Sequence, residues 1–269
     1  MMKIRFSFYI LAALIMNPTL SMGLDIESMI GKIAVKNIKN KRVLLAGATG
    51  NNGRHILSVL SDLDVEVRAM SRNIKKAKRK FGEKYNWVEA DVTKPETLLM
   101  AVDGVDIIIS AVATKIPFGS NRPENVDYFG VKNLVSAAKA ANVSRLIIIT
   151  SSSSGVKDHF LNKIFNDTLM WKAKAEKILV NSGLEYVIVC PSVIDDDIGG
   201  VRKINLIPRL QYQPGMKISR ADLAVVVVAS AGHPDARNRI FTVINESGIP
   251  SDGWLAKFES LPSELNLPN

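Results

Sequence analysis

The chain has 269 residues, 47% hydrophobic and 23% charged, with a formal net charge of +9; this is ordinary for a globular protein and long enough to bury a full core in one large domain or two small ones. A single cysteine, Cys190 in the apolar run Tyr186–Cys190, excludes an intramolecular disulfide and a cysteine-cluster metal site, and no metal is expected. The surplus of lysine suits a solvated surface, an anionic cofactor or an anionic membrane face. Nucleic acid is not expected, because there is no zinc-finger spacing or RNP aromatic motif and the basic residues are scattered outside Lys75-Lys76-Lys78-Arg79-Lys80.

Residues 1–23 read as a Sec-type signal peptide. Lys3 and Arg5 form a positive start, and Phe6 to Met16 is an uncharged apolar stretch, short for a spanning helix of roughly 20 residues. Asn17-Pro18 breaks it, and Ser21-Met22-Gly23 offers small residues for a cut before Leu24. An exported protein is therefore expected; an uncleaved membrane anchor and a cytoplasmic chain initiated at Met22 are the alternatives. Residues 24–40 read as a linker. Within it Ile26, Met29, Ile30 and Ile33 recur at helical spacing beside Lys32, Lys36 and Lys39, which fits either an interfacial helix on an anionic membrane or a helix packed on its own domain.

From Arg42 onward, short apolar runs alternate with amphipathic stretches. This predicts one α/β domain over residues 41–246, a Rossmann-like doubly wound parallel sheet. A first strand, Val43–Ala46, runs directly into Gly47-Ala48-Thr49-Gly50-Asn51-Asn52-Gly53-Arg54 and a helix over 52–62. Strand, glycine turn and helix in that order grip a dinucleotide pyrophosphate: the first glycine permits the turn, the second lets backbone approach the phosphates, the third lets the helix pack close. The helix N-terminus then presents unpaired N–H groups to the anion. Further strands are predicted at Val65–Met70, Trp87–Ala90, Asp106–Ser110, Arg145–Thr150 and Glu185–Cys190, and helices over 73–81, 95–102, 124–142, 159–181 and 220–231. Ser219-Arg220-Ala221-Asp222 fits a capping box for the last of these. Residues 247–269 read as a short helix near Trp254–Leu261 and a tail.

Ligands of such a sheet bind at the carboxyl ends of its strands, so each end is a candidate site. The second strand ends in Ser71-Arg72, with no acid for a ribose 2′-hydroxyl; a guanidinium there suits a 2′-phosphate, which favours NADP over NAD as cofactor, with Arg54 as a second cation. Asp91 can accept from the adenine amine with Val92 against the ring, and it fits equally as a turn residue. Ala111 leaves room for the cofactor to lie along backbone. Ser152 and Ser153, in the run Ser151–Ser154, are candidates for binding a substrate carbonyl. Asp195-Asp196-Asp197 reads as a solvated loop.

Taken together these motifs resemble the atypical short-chain dehydrogenase/reductase superfamily, in the branch of NmrA-like regulators and flavin/biliverdin-type reductases. The resemblance runs from Arg42 to Asn245 and includes Asn125-x-x-x-x-Gly130-x-x-Asn133-Leu134, Lys172-x-x-x-Glu176, Ser182-Gly183-Leu184-x-Tyr186 and Ile218–Asp222. It implies NAD(P)H binding and places Lys172 at the nicotinamide ribose. In catalytic members a Tyr-x-x-x-Lys pair moves the proton; here Lys172 aligns with the lysine and Thr168 stands where the tyrosine would be. His159 is a candidate replacement acid, as is water. Two functions follow: an oxidoreductase passing hydride from NADPH to an unidentified small-molecule substrate, planar in kind, such as a flavin, quinone or tetrapyrrole, or a non-catalytic dinucleotide binder with a regulatory or assembly role.

Overall fold

The computed structural model describes residues 25–114 and 116–265; the expected signal peptide lies outside them. The chain begins with two helices, α1 (Ile26–Ile30) and α2 (Lys32–Lys39), parted by Gly31 at φ +83°. The Asp25 carboxylate caps α1 by accepting from the Ser28 N–H at 2.9 Å. These helices correct the linker reading of residues 24–40. Met29, Ile30, Ala34, Val35 and Ile38 are buried, and Asn37 Nδ2 donates to the Gly232 carbonyl at 2.9 Å. The apolar stripe that would suit a membrane surface is covered by the protein's own domain.

The order then runs β1 (Arg42–Ala46), α3 (Asn51–Asp62), β2 (Glu66–Ser71), α4 (Ile74–Phe81), β3 (Asn86–Glu89), α5 (Leu98–Val102), β4 (Ile107–Ser110), α6 (Gly130–Ala140), β5 (Arg145–Ile149), α7 (Phe160–Ile164), α8 (Thr168–Val180), β6 (Glu185–Pro191), β7 (Val193–Asp195), β8 (Lys203–Ile207), β9 (Lys217–Ser219), α9 (Arg220–Gly232) and β10 (Arg239–Glu246). The main sheet has the order β3-β2-β1-β4-β5-β6-β10-β8. All its pairings are parallel except β10 with β8, so an antiparallel edge strand closes an otherwise parallel sheet. β7 and β9 form a separate parallel pair.

Strand side chains divide by parity between two cores, as a pleated strand buried on both faces must. Val43 and Leu45 join the core under α2, α3 and α9, while Leu44 and Ala46 join the one under α5, α6 and α8. The same split separates Ile147 from Leu146 and Ile148 in β5. Helix α9 is buried over nearly its whole length, Val225 to Gly232 included, because α2 and α3 cover what the sheet does not. Sequence order reverses between β1 and β4, and the crevice at that switch point faces the carboxyl ends of the strands.

Several elements differ from the sequence expectation. The helix expected over 159–181 is two, because Asn166 and Asp167 both adopt positive φ (46° and 57°), a conformation short polar side chains tolerate. The one expected over 124–142 opens with a π-helical segment, Glu124–Phe129, before α6. The runs 203–207 and 239–246 are strands, and 193–195 pairs with 217–219. Near the C-terminus a 3₁₀ segment, Leu255–Ser260, packs the Phe258 ring 5.5 Å from that of Phe241.

Candidate functional site

The glycine turn follows from its backbone. Gly47 has φ +80°, and a Cβ there would lie 2.9 Å from the Ala111 carbonyl group. Gly50 donates its N–H to the Gly47 carbonyl at 2.9 Å and stands at the N-cap of α3 in an extended conformation. At Gly53 a Cβ would collide with the Gly47 carbonyl oxygen, so the first turn of α3 lies against the loop that precedes it. The result is a helix N-terminus with no side-chain cap, whose first N–H groups have no partner within the helix. A cradle that any Cβ would fill fits a pyrophosphate.

Beside it lies a cavity of about 170 Å³, lined from four strand ends: Gly47, Thr49 and Gly50 after β1; Ser71 and Arg72 at β2; Asp91 and Val92 after β3; Ala111 after β4. These predicted cofactor residues converge although 64 positions separate the first from the last (111 − 47). Val126, Ile116 and Asn121 close the far wall, and no sequence signal marked them. Asn51 and Arg54 are exposed and Gly53 is buried under the turn, so none of these lines the cavity. Asn52 accepts instead from Nη1 of Arg220.

Arg72 is exposed and donates from Nη1 to Asn121 Oδ1 at 2.9 Å. It also borders a second, more basic hollow of about 400 Å³, shared with Thr49, Ser71, Asn73, Lys76 and Lys80. Lys76 and Lys80 are one turn apart on α4, whose start Asn73 fixes by accepting from the Lys76 N–H at 2.8 Å. The Ser71 hydroxyl is engaged in the same turn, with the Asn73 backbone. Asp91 does serve as a turn residue: its Oδ1 accepts from the Thr93 N–H (2.9 Å) and hydroxyl (2.8 Å), while the residue still borders the cavity.

On the other side of the crevice Lys172 lies outside the cavity lining. Its Nζ donates to Asp127 Oδ1 at 2.8 Å, and the Thr168 hydroxyl stands 3.4 Å from Asp127 Oδ2. The sequence reading gave Asp127 no role; Asn125, quoted there only as part of the family motif, donates to the Ser120 carbonyl. Tyr128, remote in sequence, packs its ring 5.7 Å from Trp171, next to Lys172. Ser152 and Ser153 are buried, with Ser152 N–H donating to the Pro191 carbonyl at 3.0 Å; the buried Ser154 Oγ has no protein partner among the described residues. His159 caps α7, its Nδ1 accepting from the Leu161 N–H.

The surroundings are built from paired charges. Asp195 and Asp197 both meet Arg202, and Asp196 meets Arg220 at 2.7 Å, which holds Asp196 below the usual carboxylate range. Burial raises Asp222 although the Gly200 N–H and Asn245 Nδ2 donate to it. His55, beside the turn, is lowered by burial and then by Arg54 and Arg220. Beneath the site, Arg209 pairs with Glu176 at 2.8 Å with both side chains almost fully enclosed (2% and 0% exposed), and the Cys190 thiol beside them is raised by burial.

Residues 47–234 match a family described as NAD(P)H-binding. The chain belongs to that family, within the atypical short-chain dehydrogenase/reductases. Sanguinarine reductase of Eschscholzia californica is 30% identical over 244 residues, 76% of this chain and 88% of that one. A chloroplastic protein of Arabidopsis thaliana, At2g37660, is 28% identical over 248 residues, 83% of this chain and 76% of its own. Among solved structures, ChuY of Escherichia coli O157:H7, an anaerobillin reductase, superposes with a TM-score of 0.63 at 23% identity, covering 78% of this chain and all of ChuY. The family match supports a nicotinamide dinucleotide as the cofactor.

Proposed function

We propose that the protein is an NADP(H)-dependent oxidoreductase acting on a planar acceptor. The observation that carries the cofactor preference is the second hollow: Arg72, Lys76 and Lys80 gather at the end of β2, where a dinucleotide on the glycine turn would bring its adenosine ribose. Three cations with no carboxylate among the lining residues suit a 2′-phosphate better than a hydroxyl. Gly47, Thr49 and Gly50 would hold the pyrophosphate, Val92 the adenine, and Lys172 the nicotinamide ribose. Bound nicotinamide supplies hydride chemistry. Flavins, quinones and tetrapyrroles can take their proton from water, a route consistent with Thr168 in place of a tyrosine; the reductase relative is named for the reduction of sanguinarine.

The thermal midpoint should rise more with NADPH than with NADH, and Arg72→Ala should erase the difference; equal shifts in the wild type would sink the NADP assignment. Stopped-flow mixing of the NADPH complex with flavin and quinone acceptors should oxidise the cofactor. Thr168 also supports a second reading, a non-catalytic dinucleotide binder, and NADPH that persists against the whole panel would favour it. Export through residues 1–23 is part of the proposal, and the intact mass of the protein from its native host tests it: loss of 23 residues supports cleavage, and a full-length chain in the membrane fraction supports an anchor.

A further inference from the structure

We propose that Arg220 is a binding residue for the dinucleotide pyrophosphate, and that the Asp196 carboxylate occupies it until the cofactor arrives; this rests on the dinucleotide reading above. Arg220 is the first residue of α9, and its Nη1 donates to the side-chain oxygen of Asn52. Asn52 is the second residue of α3, and helical side chains lean toward the N-terminus of their helix. The guanidinium therefore stands beside the first turn of α3, whose unpaired N–H groups would hold the phosphates. Its Nε donates to Asp196 Oδ1 at 2.7 Å. Among the described residues its Nη2 has no partner.

The two members of this pair are held differently. The Arg220 side chain is 13% exposed and that of Asp196 72%. The backbone at Arg220 is fixed, because the Ser219 hydroxyl caps α9 by accepting from the Asp222 N–H at 3.0 Å and both of those residues are buried. Asp196 instead opens the segment 196–202 between β7 and β8, and among the described residues it makes no other ion pair. The acids on either side of it are taken by Arg202. Arg54, His55 and Arg220 surround the first turn of α3, and Asp196 is the carboxylate that offsets them. A dinucleotide pyrophosphate carries more charge than one carboxylate and presents oxygens to the same guanidinium fork. Seated on α3 it gains the helix dipole as well. An exposed ion pair contributes little, so exchanging Asp196 for a phosphate oxygen gives up little and leaves Arg220 charge-paired with the cofactor.

Titration of NADPH, followed by its fluorescence, tests this. Arg220→Met should weaken NADPH about tenfold, the size of one lost charge-assisted hydrogen bond. Asp196→Asn should tighten it about two- to fivefold, the size of an exposed ion pair that no longer has to be broken. Asp197→Asn removes the same charge one residue away, from a pair with Arg202, and should leave NADPH binding unchanged. In the Arg220→Met background Asp196→Asn should have no effect, because Asp196 acts only through Arg220. A pair with a merely structural role would make Asp196→Asn weaken binding or leave it alone. Asp196→Asn that binds NADPH no tighter than the wild type, tightens it no more than Asp197→Asn does, or still tightens it without Arg220 overturns the proposal, as does Arg220→Met with wild-type affinity. If Arg220→Met does not fold, Asp196→Asn against Asp197→Asn decides the matter. Wild-type protein that binds neither NADPH nor NADH removes the dinucleotide reading and this proposal with it, a result distinct from failure in the variants.

Discussion

The two sides of the crevice are made differently. Between β1 and β4 the site is backbone: a positive φ at Gly47, a close approach at Gly53, a helix start without a side-chain cap, and short strand ends at Ser71, Asp91 and Ala111 that converge on one cavity. Between β5 and β10 it is side chains from remote elements, paired across buried space: Lys172 with Asp127, Arg209 with Glu176, Asp222 with Asn245. The first kind of site depends on where a Cβ is missing. The second depends on charges that stabilise one another only once the chain is folded.

The sharpest way to break that contrast is at the most enclosed pair. Arg209→Met should cost about 3–5 kcal/mol, since it leaves Glu176 charged and alone in the core, and adding Glu176→Leu should recover most of it. Urea midpoints test both; a single variant within about 1 kcal/mol of wild type would show that the β5–β10 side does not depend on its pairs. On the glycine side Gly53→Ala should cost about 1–3 kcal/mol as overpacking against the Gly47 carbonyl. It should also abolish the thermal shift with NADPH, whereas Gly183→Ala, with nothing within 4 Å of its Cβ, should keep that shift despite its own backbone strain at φ +80°.

Arg72→Ala should lower NADPH affinity about 10- to 100-fold, about 1.4–2.7 kcal/mol, with little effect on NADH. The smallest effect concerns pH. Burial lowers both His55 and His233 below the ordinary imidazole value of 6.5. Their contribution to stability is therefore present above pH 6.5 and lost as pH falls through their folded values, because unfolding then takes up protons. The thermal midpoint should fall between pH 7 and pH 5, and His55→Gln should flatten part of that slope; an unchanged slope would assign the effect to His233 and the carboxylates.

The glycine turn, six of the strands and the convergence of Ser71, Arg72, Asp91, Val92 and Ala111 were legible in the sequence, because each rests on local rules of period, turn chemistry and strand-end geometry. The same rules left residues 24–40 open between a membrane surface and the protein's own domain, because their apolar stripe looks alike whether it meets a membrane or α9. They joined α7 to α8 because two consecutive residues in left-handed conformations carry no periodic signal. His159 and Cys190 drew notice by type, yet packing assigns one to a helix cap and the other to a core.

The sequence by itself determined the family and the doubly wound fold, since these depend on glycines and apolar runs acting over a few residues. Only the tertiary structure decided which side chains meet. Asp127 lies 45 residues from Lys172 and Glu176 lies 33 from Arg209. A buried charge has no partner in sequence; it acquires one when helix and sheet bring the two together in a medium where neither can stay unpaired.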